Sequence, residues 1–169
     1  MFDLIYCRVI GLLLSVALFA PYAAEAAPSG KVDAAARCSV CGMFVAKYDN
    51  WVSQLRLTDD SVLFFDGVKD MMVFYLNPGQ YGRAEQEDIK EVWVRDYYSL
   101  DWVDGREAFY VTGSDVYGPM GKEFIPFGKR DAAESFLRDH KGEKIIGFGD
   151  ITDSLVQSMR AGMKMRHEK

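Results

Sequence analysis

Apolar residues along the chain fall in short blocks cut by Gly-, Pro- and Asp-rich turns, a pattern of small strands with few helices. Residues 51–57 read as a half-buried strand through Val52, Leu55 and Leu57, and Asp59-Asp60-Ser61 carries turn chemistry. Residues 62–65 form an apolar run of strand type closed by Asp66-Gly67. A helix is predicted over 68–76, with a broad apolar face of Met71, Met72, Phe74, Tyr75 and Leu76, stopped by Asn77-Pro78-Gly79. Residues 81–90 are polar and acidic, as in a loop, and 91–97 alternate as a strand.

The order then recurs. Residues 108–112 read as a strand, 113–121 as a Gly- and Pro-containing loop, 123–125 as a short strand, 131–140 as a helix and 144–148 as a strand. Residues match as well: Phe64-Phe65-Asp66-Gly67-Val68-Lys69-Asp70 aligns without a gap on Ile125-Pro126-Phe127-Gly128-Lys129-Arg130-Asp131, which also places Tyr75 on Phe136 and Leu76 on Leu137. The expected architecture is therefore α+β, two ββαβ units each with a helix packed on a small antiparallel-rich sheet. Repeat 1 covers about 44–97 and repeat 2 about 106–151, both inside a domain of 38–151. Residues 152–169, with Leu155, Val156, Met159, Met163 and Met165, fit a last amphipathic helix and a polar tail.

Ahead of the domain, the pattern changes. Residues 9–20 are uncharged and almost wholly apolar, Arg8 precedes them, Pro21 breaks the run and Ala24-Glu25-Ala26 follows. A short apolar stretch ending in a small-x-small site is the pattern of a Sec signal peptide, here 1–26 with cleavage after Ala26. The run is shorter than the roughly 20 residues of a membrane-spanning helix. Cys7 precedes the apolar run, whereas a lipidated Cys would follow it, so a lipid anchor is not expected. Residues 27–37, small, polar and Ala-rich, read as a linker.

Composition changes this picture little. The 169 residues are 49% hydrophobic, enough for a core, and the formal net charge of -5 argues against nucleic acid. The chain holds no Gly-x-Ser-x-Gly, His-Glu-x-x-His or Walker loop, so acyl and phosphoryl transfer have no anchor residues.

The pointed chemistry is Cys38-Ser-Val-Cys41-Gly-Met43. Two cysteines so close make a poor staple, because the gain from a disulfide grows with the loop it closes. Gly42 gives the backbone freedom to turn, and Met43 adds a thioether beside two thiols. Thiolate and thioether are soft donors and suit Cu(I). Structural zinc is a rival, but the exported chain would offer only Cys38, Cys41, His140 and His167, the histidines far apart. Thiol–disulfide exchange through Cys38 and Cys41 is another, although 44–46 look extended rather than helical after the motif. A structural module holding a metal or a disulfide is the third. Asp66 ends the second strand, close enough in order to approach the motif, but reads first as a turn residue; His140 reads as a helix-end cation, Met71 and Met72 as core, and Trp51, Trp93 and Trp102 as core aromatics. Met159, Met163, Met165 and His167 gather soft donors on the tail, most simply as a frayed helix.

Taken together, Cys-x-x-Cys-Gly-Met, then Phe-Phe-Asp-Gly before a Met-bearing helix, then Val-Thr-Gly-Ser and Gly118-Pro119-Met120-Gly121 ahead of Phe127, the chain resembles the NosL family over roughly 38–151. The resemblance implies a duplicated ββαβ fold and a periplasmic Cu(I) chaperone without catalytic turnover. The implied client is a copper enzyme such as nitrous oxide reductase, with a membrane copper transporter as a further partner. Carried onto this sequence, it makes Cys41 and Met43 the prime copper ligands. The residues themselves add Cys38, from the same motif, and Met120, which lies in a Gly-Pro loop and reads either as a ligand or as a loop anchor packed into the domain.

Overall fold

The structure is a computed structural model that describes residues 28, 30–82 and 85–167. The apolar run at 9–20 and the cleavage expected after Ala26 lie outside the described residues. No helix among them is long and apolar enough to cross a membrane.

The first unit is ββαβ: β1 (Ser53–Leu57), β2 (Val62–Phe65), α1 (Val68–Leu76) and β3 (Ile89–Arg95). β1 is central and pairs antiparallel with β2 on one side, Leu55 facing Leu63, and with β3 on the other, Leu55 facing Val92. A short strand missed in the sequence, β4 (Trp102–Asp104), joins the far edge of β3, giving the order β2-β1-β3-β4. The second unit repeats the plan with β5 (Phe109–Thr112), a hairpin of β6 (Tyr117–Gly118) and β7 (Gly121–Lys122), then β8 (Ile125–Phe127), α2 (Arg130–Asp139) and β9 (Lys144–Ile146). Its sheet runs β8-β5-β9, all antiparallel, so in both units the first strand sits between the second and third. The duplication read from the sequence is thus one of topology, and the fold is α+β.

The helices of the two units differ in what covers them. α2 is amphipathic, with Ala133 and Phe136 buried and charged residues outside. α1 is buried all round from Val68 to Phe74, including Lys69 and Asp70. Its outer side is packed by α3 (Asp153–His167), whose Val156 and Met159 join the main core. That core contains Val45, Leu55, Phe65, Met71, Met72, Phe74 and Tyr110, so the two helix methionines are packing residues. A smaller core holds Val111, Ile125, Phe127, Ala133 and Phe136.

Several local expectations need correction. Residues 45–51 form a 3-10 helix rather than an extended strand entry, although φ/ψ break at Tyr48. The loop expected at 113–121 contains β6 and the turn into β7, because the residues flanking Pro119-Met120 pair as Tyr117↔Lys122 and Gly118↔Gly121. The strand expected at 123–125 is shifted to 125–127, since Glu123 turns inward instead of pairing. Within the stretch read as a linker, Val32 reaches the main core and Arg37 bridges Phe44. The three tryptophans are half-buried: Trp51 packs edge-on to Tyr97, Trp93 donates to Glu91, and Trp102 lies under Arg95.

Candidate metal centre

The motif is a closed turn docked on the edge of the first sheet. Cys38 N–H donates to the Met43 carbonyl (2.8 Å), Gly42 N–H donates to the Cys38 carbonyl (2.9 Å), and Gly42 has φ 77°, which favours glycine. Arg37 closes the outer side, with Nη1 donating to the Gly42 carbonyl at 2.9 Å and its guanidinium 3.8 Å over the Phe44 ring. Ser39 N–H donates to the Phe64 carbonyl (3.0 Å), and Cys38 bridges Phe64 in parallel. Anchoring at Phe64 brings the turn beside the end of β2, where Asp66 follows two residues later on the same face. Asp70 sits one helical turn on, in the first turn of α1, where a carboxylate is favoured by the helix N-terminus.

These elements bring Cys38, Cys41, Asp66 and Asp70 together. One donor atom from each, two sulfurs and two carboxylate oxygens, all lie within 4.8 Å of one another. Cys38 Sγ donates to Asp70 Oδ2 at 3.6 Å and Cys41 Sγ to Asp66 Oδ1 at 3.5 Å. Cys38, Asp66 and Asp70 are buried, Cys41 is exposed, and both cysteines are free thiols. Asp66 Oδ2 is buried and has no hydrogen-bond partner among the described residues, an unsatisfied acceptor inside the cluster.

Electrostatics favour the protonated form of both thiols and of Asp70. Burial pushes the Cys38 thiol far above the ordinary thiol range, against the backbone N–H of Cys41, which favours the thiolate. Burial also pushes Cys41 up to about 11, opposed by the backbone N–H of Met43 and by the Cys38 side chain. The Asp70 carboxyl is raised by burial first and then by the charge of Asp66. Four acids in one small volume repel each other's charges, and a cation relieves that repulsion. Two thiols, two carboxylates and an unpaired oxygen therefore fit a metal ion chemically.

The remaining candidates fall as follows. Met43 lies in the same turn, half-buried, its carbonyl holding Cys38. Met120 lies at the tip of the β6–β7 hairpin, half-buried, and its carbonyl accepts a hydrogen bond from Lys69 Nζ beside Asp70. His140 is distant in role: it stacks on Phe136 (4.3 Å between centroids) with Nδ1 3.3 Å from Asp115. Side chains of Met163, Met165 and His167 lie outside the described residues.

Of the two roles its sequence position offers Asp66, turn former or neighbour of the motif, the structure shows it facing the two cysteines. Asp70, which its sequence context does not mark out as a metal-facing group, faces the cysteines as well. The available signal was the apolar environment: a helix apolar on every side buries its charges too, and Lys69 and Asp70 interrupt such a stretch.

A family model, NosL, matches residues 28–156. Among curated proteins, the chain is 31% identical over 105 residues to the copper-binding lipoprotein NosL of Achromobacter cycloclastes, covering 56% of this chain and 51% of that protein. It is 25% identical over 128 residues to the copper-binding lipoprotein NosL of Stutzerimonas stutzeri, covering 71% and 64%. The chain thus spans between about half and two thirds of the length of these two relatives. Among solved structures, the copper chaperone NosL from Shewanella denitrificans superposes with a TM-score of 0.65 at 25% identity, over 75% of this chain and 97% of that one.

Proposed function

The chain belongs to the NosL family, and from that premise we propose that it is an exported metallochaperone that carries Cu(I) as cargo. The observation that carries the reading is the convergence of two free thiols on two carboxylates at the β2–α1 junction, with Met43 in the same turn. Soft sulfur donors favour Cu(I) over harder cations. In this reading Cys41 and Met43 are the principal ligands, Cys38 completes the sulfur set, and Met120 reaches in from the second unit.

Loading is a ligand exchange with no catalytic turnover. Cu(I) displaces the thiol protons, and Asp66 and Asp70, already their hydrogen-bond acceptors, take them toward solvent. The sulfurs keep their electron pairs and no oxidant is needed. The exposure of Cys41 gives an acceptor protein a route to the metal, while buried Cys38 retains it until transfer. The proposed setting is the periplasm, the client a copper enzyme such as nitrous oxide reductase, with a membrane copper transporter as a further partner.

Thiol–disulfide exchange fits the site poorly. It needs a thiolate at neutral pH, and both thiols are raised rather than lowered. The test is a competition titration of the reduced chain against a Cu(I) chelator without oxygen. The reading expects one Cu(I) bound at nanomolar Kd or tighter, on the order of 12 kcal/mol, weakened in Met43→Ala and abolished in Cys38→Ala/Cys41→Ala. Dithiol reductase activity with Cu(I) affinity unchanged in Met43→Ala would favour the redox enzyme instead.

A further inference from the structure

We propose that Lys69 is a positioning residue for the cargo site, clamping the Met120 turn of the second unit to the helix that carries Asp70. Lys69 is 1% exposed and lies between Asp66 and Asp70 in sequence. Its Nζ donates to two backbone carbonyls of one turn, those of Met120 and Lys122, the latter at 2.8 Å. Its own N–H donates to Glu123 Oε1 at 2.5 Å, and the same oxygen accepts Phe124 N–H at 2.9 Å.

Glu123 is packed as tightly as it is bonded. A Cβ on Gly67 would fall on its carboxylate, and a Cβ on Gly118 would meet its Cγ at 3.2 Å. The Glu123 side chain thus fills the space between the hairpin and the β2–α1 junction, and only glycines leave room for it. Hairpin and metal-facing junction are joined at one place by Lys69 and Glu123.

A buried ammonium is expensive unless each donor finds an acceptor, and an apolar side chain would fill the same space more cheaply. The hairpin has only two paired positions, too few to hold its own shape in water. Without Lys69 its tip would drift, and a ligand that drifts binds more weakly because its ordering must be supplied on binding. A long stem carrying three donors can take the carbonyls on both sides of Gly121 and fix the turn as a unit. This inference rests on the proposed function, with Met120 as a sulfur donor to Cu(I).

The test uses the reduced full chain in four forms: native, Met120→Ala, Lys69→Met and the double variant, each titrated with Cu(I) against a chelator. Both single variants are expected to bind about tenfold more weakly, about 1.4 kcal/mol. The double variant should be no weaker than the weaker single one, because the clamp acts through Met120. Lys69→Arg, which keeps donors on a long stem, should recover most of the affinity. If the native chain binds Cu(I) and Lys69→Met or Met120→Ala matches it, the clamp is overturned and the proposed function stands. A native chain that takes no Cu(I) fails the proposed function itself. A second measurement needs no change at Lys69: the Met120 methyl resonance of the metal-free native chain should show restricted motion. A methyl as mobile as that of free methionine would overturn the clamp even if Lys69→Met does not fold.

Discussion

Replacing Glu123 with Gln removes an ionisable group from the interior and keeps a carbonyl-type oxygen able to accept from Lys69 and Phe124. Burial raises the Glu123 carboxyl from 4.5 to about 8, with the Lys69 charge pulling it partly back. The folded chain therefore holds this proton to a higher pH than the unfolded chain does. Between about pH 4.5 and about pH 8 the folded state binds more protons, so stability falls as pH rises through that window. At about 1.4 kcal/mol per pH unit the full span bounds the effect at about 5 kcal/mol, and a few kcal/mol is the working expectation. Urea unfolding of the metal-free chain at pH 5, 7 and 9 measures it. Taking native and Glu123→Gln as a difference cancels the titrations they share, including those of the cysteines. The variant should gain on the native chain by a few kcal/mol from pH 5 to pH 9. Parallel profiles would show that Glu123 has the same proton affinity folded and unfolded, and the account of its burial would fall.

Three further outcomes follow from the geometry. Gly67→Ala should destabilise by about 1–3 kcal/mol in the same urea assay, the cost of forcing a methyl group into packed space, since its Cβ collides with the Glu123 carboxylate. Gly42→Ala should cost about 1 kcal/mol from strain at φ 77° and weaken Cu(I) retention, because that residue closes the turn; thermal melts and chelator competition read the two effects. Cu(I) uptake near pH 7 should release about two protons per metal to an indicator dye, since both thiols are held protonated. Apparent affinity should then rise with pH, steeply below about 11 and less steeply above it, where Cys41 loses its proton without help from the metal while Cys38 keeps its own; a flat profile would mean that thiolate is already present.

Sequence and structure agree best where a local pattern decides the outcome. The helix predicted over 68–76 has the bounds of α1, because Gly67 precedes it and Asn77-Pro78 ends it. The repeat was legible because strand–Gly–helix junctions recur at a fixed spacing, and the two sheets share one strand order. β4 was not legible: it is three residues long and forms only by adding to the edge of β3. The 3-10 segment after the motif was hidden by its composition, since Val45-Ala46 reads equally well as strand. In the site, Cys38 and Cys41 were visible through spacing. Asp66 was legible only as one option beside a turn, and Asp70 was not legible, because their role depends on a long-range bridge at Phe64 and on α3 and the hairpin covering α1. One capping-type Asp in the first helical turn looks like another until that cover is known: Asp131, the repeat's counterpart of Asp70, is exposed and accepts a hydrogen bond from Ala132 N–H.

The most direct measurement of the central claim is X-ray absorption at the copper edge of the chain loaded with one equivalent of Cu(I). The account predicts a low-coordinate site whose first shell is dominated by sulfur, with the sulfur contribution reduced in Cys41→Ser and in Met43→Ala. A first shell of nitrogen and oxygen alone, or a native spectrum retained in Cys41→Ser, would contradict it.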